Sequence, residues 1–283
     1  MFGFKKPADR AIWILAVASW VMCAPLAQAQ TDANSGKSSG PIAVMPGMPV
    51  EQGVLEMHLP GREYRPGSGW WALACPARCE LYPLNLAVTP KLHPTYDGDP
   101  VAGQMLRFSP VPPVANVLLA FKPFRLSAEL KLRPGPLPTY YPGTLPHLRR
   151  PNSPGTMEGE IGLPQGRTAR LVPTLLLPPP DSKKEGKDEP AADGTLQLEL
   201  HMDGRHQMLG VFNFGIEGTM ALKPSDYVIW VGDLDGDGKP DFLLNFDFHG
   251  TDIALFLSSL ARDGEIVGEA GRFRYFPIDS AGC

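Results

Sequence analysis

Apolar runs of strand length, punctuated by turn residues, recur along this chain, and no stretch sustains an apolar period of 3.6 residues. Residues 116–121 read as a buried strand. Residues 126–132 alternate, with Leu126, Ala128, Leu130 and Leu132 on one face and Ser127, Glu129 and Lys131 on the other. Residues 156–161 and 167–177 have strand character, and Pro178-Pro179-Pro180 ends the second of them. Residues 195–201 alternate cleanly into the hairpin turn Asp203-Gly204. A meander continues through residues 207–214, 217–222, 227–231, 242–246, 252–258 and 266–276, with another Asp-Gly turn at Asp263-Gly264. Thirty-two prolines exclude long helices and suit loops and edge strands. The pattern predicts an all-β protein, an antiparallel sandwich or open barrel with long proline-rich loops.

The composition divides the chain further. Residues 1–29 carry Lys5, Lys6 and Arg10, an apolar run over 11–22 and the small-x-small sequence Ala27-Gln28-Ala29. They read as a secretory signal peptide cut after Ala29. An alternative uses Cys23 as a lipid anchor, against which Trp20-Val21-Met22 is bulky. Residues 30–53, rich in Gly, Ser, Pro and Ala, read as a flexible tail, with order beginning near Val54. Residues 54–180 form a β-rich region. Within it 133–154, dominated by Pro, Gly, Tyr and Arg, reads as a long excursion. Residues 181–194 are a charged loop or linker, and 195–283 carry the meander. The expected location is the periplasm or the cell exterior.

Three of the 26 Lys+Arg and one of the 30 Asp+Glu lie in the first 29 residues, so the remainder has a net charge of −6. That charge gives no footprint for nucleic acid or an anionic membrane. No second apolar run is long enough to span a bilayer.

Export favours oxidised cysteines. Beyond Cys23 the cysteines are Cys75, Cys79 and Cys283, which permit three single bridges with one thiol left over. A Cys75–Cys79 staple across the Pro76 turn is the first choice, provided the chain folds back there. A bridge from Cys283 to either is the alternative. Zinc is not indicated, because the Cys-x₃-Cys pair has no second pair at ligand spacing.

The densest chemistry lies at Gly232-Asp233-Leu234-Asp235-Gly236-Asp237-Gly238-Lys239-Pro240-Asp241. Carboxylates occupy loop positions 1, 3, 5 and 9, glycine occupies position 6, and the backbone carbonyl of Lys239 is available at position 7. Ca²⁺ takes six to eight oxygens, and this spacing supplies most of them from one turn. An EF-hand would place a bidentate Glu at position 12, where Leu244 stands, and helices on either side, where strand-like runs stand. The expected ligands are Asp233, Asp235, Asp237, Lys239 and Asp241, in a loop between two strands. This pattern resembles the calcium loop of FG-GAP (VCBS-type) repeats, over roughly residues 226–246. The resemblance implies side-chain ligation by the four aspartates and carbonyl ligation by Lys239. A propeller needs several such blades. One loop of this kind is present, so a complete propeller is not expected.

Catalytic signatures are absent. There is no His-Glu-x-x-His, no Gly-x-Ser-x-Gly and no phosphate-binding glycine loop. Glu158 and Glu160 share a strand face, and His201 and His206 flank a turn. All four read as surface residues. Asp247, His249 and Asp252 either face the calcium loop or, as favoured, cap a turn. Trp70 and Trp71 point to opposite faces of a strand, which places one of them in the core rather than both on a sugar platform. The expectation is an exported calcium-binding β protein in which calcium is structural, acting as a binding or structural module with a protein or glycan partner. A secreted hydrolase acting on glycans or another polymer, with its site in 133–154, is the alternative, and docking through an exposed edge strand is a third reading.

Overall fold

The structure, a computed structural model, describes residues 41–60, 64–94, 99–123, 130, 132–141, 148–149, 158–176, 195–212, 223–247 and 251–275. The expected signal peptide, Cys23, the alternating run at 126–129, the charged segment 181–194, the strand at 217–222, His249 and Cys283 lie outside these residues. The described chain is antiparallel β throughout, apart from short helical turns. Its strands are β1 (Ile42–Pro49), β2 (Leu55–Pro60), β3 (Gly67–Ala74), β4 (Glu80–His93), β5 (Val101–Ser109) and β6 (Asn116–Pro123). Then come β7 (Gly135–Pro136), β8 (Thr139–Tyr141), β9 (Leu148–Arg149), β10 (Glu158–Gly162), β11 (Thr168–Leu176), β12 (Thr195–Met202) and β13 (Arg205–Val211). One helical turn, α1 (Pro224–Tyr227), precedes β14 (Val228–Gly232), β15 (Asp241–Asn245), β16 (Thr251–Leu257) and β17 (Gly268–Tyr275).

The first sheet runs β1-β6-β3-β4-β5-β2, with β7 beside β4. Its two end strands, β1 and β2, are consecutive in the chain. The turn between them is closed by Glu51 N–H to Val54 O (3.0 Å) and Val54 N–H to Glu51 O (2.8 Å). The sheet therefore nearly closes on itself as a barrel, which removes most of its free edge. Leu73, Leu81, Leu106, Phe108, Leu119 and Phe121 are buried in its core. Strand β1 corrects the expected tail at Ile42–Pro49. Ile42, Ala43, Val44 and Met45 are all buried, because one face of β1 belongs to the barrel and the other packs on β16 and β17. A side chain at Gly271 of β17 would sit 2.2 Å from the Ile42 carbonyl oxygen, so glycine is required for this approach. Four consecutive apolar residues, buried on both faces, were masked in the sequence by the Pro and Gly around them.

Two five-stranded sheets complete the fold, in the orders β13-β12-β11-β10-β9 and β17-β16-β15-β14-β8. The second of these is a central layer. Trp230, Leu243, Ile253, Leu255, Leu257 and Phe273 join the barrel's cluster. Val231, Phe242, Leu244, Ala254 and Phe256 join a second cluster with Ile161, Leu171, Leu198 and Leu200 of the other sheet. Alternate residues along one strand thus enter different cores. That is why these strands are apolar throughout rather than alternating. The architecture is all-β and antiparallel, and it is not a complete propeller.

Strand pairing crosses the expected boundary at 181–194: β11 pairs with β12 over Ala169↔Met202 to Leu176↔Thr195. That segment therefore connects neighbours within one sheet rather than two domains. The excursion over 133–154 also contributes to the sheets, with β7 on the barrel, β8 on β14 and β9 on β10. Cys75 and Cys79 are joined by a disulfide across the β3–β4 turn. Trp70 is in the core and Trp71 is half-buried, as opposite faces require.

Deleting Ile42–Pro49 opens the barrel and uncovers β16 and β17. The expected result is loss of the cooperative urea transition seen with the intact chain. Leu255→Ala, at the centre of the doubly covered sheet, lowers stability by about 2–5 kcal/mol in the same measurement.

Candidate metal centre

The loop 233–240 joins β14 to β15, neighbouring strands of the central sheet. Val231↔Phe242 and Gly232↔Asp241 are the last paired positions before it. Both strands are fixed by two cores, so the loop's ends are held rigidly. Gly236 (φ 76°) and Gly238 (φ 82°) take left-handed backbone, and nothing lies within 4 Å of a side chain placed on either. They serve the turn conformation, not close packing.

That turn folds the chain around its own carboxylates. Asp233 Oδ1 accepts from Gly236 N–H (2.8 Å) and Asp237 N–H (3.1 Å), and its Oδ2 accepts from Gly238 N–H (3.0 Å). Asp235 Oδ1 accepts from Asp237 N–H (3.3 Å), and Asp237 Oδ1 from Lys239 N–H (2.8 Å). One oxygen from each of Asp233, Asp235 and Asp237 lies within 4.8 Å of the others, and this triad could hold a metal ion. Asp233 and Asp235 are buried, while Asp237 is exposed.

Asp241 has a different place. It is fully buried, and its Oδ2 and Oδ1 accept from Leu234 N–H (2.7 Å) and Ser258 N–H (2.8 Å). It brackets the loop's first turn to the end of β16. Lys239 is exposed, and its N–H serves Asp237. Two residues that sequence reasoning missed complete the surroundings. Ser258 Oγ donates to Asp237 Oδ2 (2.8 Å), and Ser259 Oγ donates to Asp235 Oδ2. The signal for them was the meander itself. β16 runs antiparallel to β15, with Phe242 opposite Phe256, so the Ser-Ser pair after β16 falls beside the loop. The excursion seals the other side, where Asp233 N–H donates to Pro138 O (2.9 Å) and Trp230 Nε1 donates to Thr139 Oγ1 (3.3 Å).

Every hydrogen-bond donor to these four aspartates among the described residues is neutral, a backbone N–H or a serine hydroxyl. Among the described residues no Lys or Arg pairs with them. Asp252, also fully buried, shows the contrast. Its carboxylate meets Arg272 Nε (2.5 Å) and Nη2 (2.9 Å) and Arg274 Nε (3.1 Å), and Arg272 stacks over Phe246 at 4.7 Å. Asp252 thus serves a buried ion network between β16 and β17, neither a turn cap nor part of the loop. Asp247 is buried beside it in sequence, and its N–H donates to Asn245 Oδ1 (3.3 Å).

Uncompensated charge has an electrostatic consequence. Burial pushes the Asp235 carboxyl up from its ordinary value, and the charges of Asp237 and Asp233 add to this. Burial likewise pushes Asp241 well up, with Asp235 and Asp237 contributing. Tyr140 of β8 is raised by burial first and then by Asp233, Asp241 and Asp237, which places its ring beside the same negative field. The donor set is oxygen only, and among the described residues its negative charge has no cationic partner. It fits a hard cation.

The other singled-out residues sit elsewhere. Glu158 pairs with Arg170 (2.6 Å) on the outer face of its sheet. His201 and His206 face each other across the β12–β13 hairpin, with ring centres 5.7 Å apart. No helix among the described residues is long and apolar enough to cross a membrane. No family model, no curated protein and no solved structure matches this chain.

The raised carboxyls set a direction for pH. In the presence of chelator, Asp235 and Asp241 bind protons more readily in the folded chain than in the unfolded one. Their contribution to stability is therefore fully present below the ordinary aspartate value and is lost as pH rises through the folded values. Asp235→Asn, which keeps the shape without the charge, should melt higher than wild type in chelator at pH 7. The gap should narrow as pH falls toward 4, as read by thermal unfolding at each pH.

Proposed function

We propose that the protein is an exported calcium-binding β protein in which Ca²⁺ is a structural ion of the 233–241 loop, and that it acts as a binding or structural module of the periplasm or cell exterior. The observation that carries this reading is the convergence of Asp233, Asp235 and Asp237 on one turn, two of them buried, with no Lys or Arg among the described residues paired to them. Ca²⁺ suits the site better than Mg²⁺, because a loop whose oxygens are already engaged by backbone N–H groups and hydroxyls offers irregular geometry. Ca²⁺ accepts such geometry, whereas Mg²⁺ demands a near-ideal octahedron. Asp233, Asp235 and Asp237 would hold the ion, with the Lys239 carbonyl and the Asp241 carboxylate as the further ligands implied by the FG-GAP resemblance. The ion supplies positive charge and the chain supplies everything else. Ser258 and Ser259 orient two of the carboxylates, and Pro138 and Thr139 fix the start of the loop. Export follows from the composition of residues 1–29 and accords with the Cys75–Cys79 disulfide.

Because the ion binds the folded loop and not the unfolded chain, occupancy becomes folding stability, about 3–4 kcal/mol at a hundred to a thousand times Kd. For a chain of this size that corresponds to a rise in melting temperature of about 6–16 °C. The expected outcome is a rise of this order on adding Ca²⁺ to chelator-treated protein, absent in an Asp235→Ala, Asp237→Ala variant. The order of wild type and Asp235→Asn should also reverse, with wild type the more stable in Ca²⁺. Equal melting of wild type in Ca²⁺ and chelator would contradict the reading.

A further inference from the structure

The sheet of β9 to β13 carries two histidines and a glutamate close together, residue types that can ligate a metal, away from the acidic loop. The β12–β13 hairpin turns through Asp203 (φ 52°) and Gly204 (φ 72°). In a two-residue hairpin the pair flanking the turn, here Met202↔Arg205, exchanges backbone hydrogen bonds. The next pair, His201↔His206, is then the closely spaced kind whose side chains stand nearest one another. The two imidazoles are accordingly 5.7 Å apart between ring centres and 32° from parallel. Glu199, two residues back on the same face, places Oε2 3.0 Å from His201 Nε2. A pocket of about 320 Å³ opens beside them, lined by Thr168, Arg170, His201, Arg205 and His206 among others.

The surrounding arginines are already engaged. Arg170 Nη2 bonds Glu158 (2.6 Å), Arg167 forms a forked pair with Asp203, and Arg205 Nη1 donates to the Glu265 carbonyl (3.3 Å). Among the described residues the His206 ring makes no side-chain hydrogen bond, whereas the Glu199 carboxylate is shared between Gln197 Nε2 (2.9 Å) and His201 Nε2 (3.0 Å), so a bound ion would take the place of the proton between His201 and Glu199. His206 is exposed and His201 half-exposed, so both rings can turn toward a common point.

We propose that His201, His206 and Glu199 form a site for a divalent transition-metal ion of the zinc and copper class, with the pocket leaving a coordination position open to water or a small ligand. Two nitrogens and one carboxylate oxygen suit such an ion and not Ca²⁺, which selects oxygen alone. The site is independent of the calcium reading. Its ligands lie on another sheet, and its donor chemistry is different.

The test is isothermal titration with Zn²⁺ in saturating Ca²⁺, so that the acidic loop does not compete, together with electron paramagnetic resonance of the Cu²⁺-loaded protein. Wild type should bind one Zn²⁺ at this site. His206→Ala and Glu199→Gln should weaken it at least about tenfold, the lower bound seen when even indirect partners of a metal are removed. The Cu²⁺ spectrum should show splitting from two nitrogens, and from one in His206→Ala. His206 is exposed, so its replacement leaves the fold intact, which an unchanged urea transition of that variant would confirm. A wild-type Zn²⁺ isotherm retained in His201→Ala, His206→Ala, no Zn²⁺ binding by wild type, or a Cu²⁺ spectrum without nitrogen splitting would each overturn the site.

Discussion

The central five-stranded sheet is buried on both faces, and the positions of the other elements follow from that. Alternate side chains of β14, β15 and β16 supply two separate cores, one shared with the near-closed barrel and one with the β9–β13 sheet. A strand pinned from both sides has little freedom to twist or slip, because a shift of one residue would exchange the two sets of side chains. The loop between β14 and β15 therefore starts and ends at fixed points. On that base the loop can hold three carboxylate groups within 4.8 Å of one another.

The charge at the end of this sheet is balanced in one place and not in another. Asp252 is buried with two arginines aimed at it, an arrangement complete in the chain itself. Among the described residues the loop aspartates receive neutral donors only. Neutral N–H and O–H groups satisfy the lone pairs of a carboxylate but leave its charge in a poorly solvated place. A bound cation resolves both problems with one ion, and the serine hydroxyls and the 137–139 segment then act as walls of a preformed cage.

Much of the fold was legible in the sequence because strand periodicity and turn chemistry are local. The Asp203-Gly204 hairpin, the apolar strands on either side of the acidic loop and the Cys75–Cys79 staple all follow from residues within a few positions of one another. What was not legible depends on partners distant in the chain. β1 looked like part of a tail because Gly, Ser, Pro and Ala are frequent over 30–53, and only its placement between barrel and central sheet explains four buried residues in a row. Residues 181–194 looked like a boundary because charge is a local signal, whereas the pairing of β11 with β12 is not. The aspartate triad could be read from spacing. Ser258, Ser259 and Pro138 could not, because strand order brings them to the loop from a distance in the chain: Ser258 lies 17 residues from Asp241 and 21 from Asp237, Ser259 lies 24 from Asp235, and Pro138 precedes Asp233 by more than ninety residues.

The central claim is that one cation belongs to the 233–241 loop. Equilibrium dialysis of the purified protein against micromolar Ca²⁺ at pH 7, with the bound ion counted per chain, tests it most directly. The account predicts one Ca²⁺ per chain in wild type and none in the Asp235→Ala, Asp237→Ala variant. No bound Ca²⁺ in wild type up to millimolar free ion, or one ion retained in the variant, would contradict it.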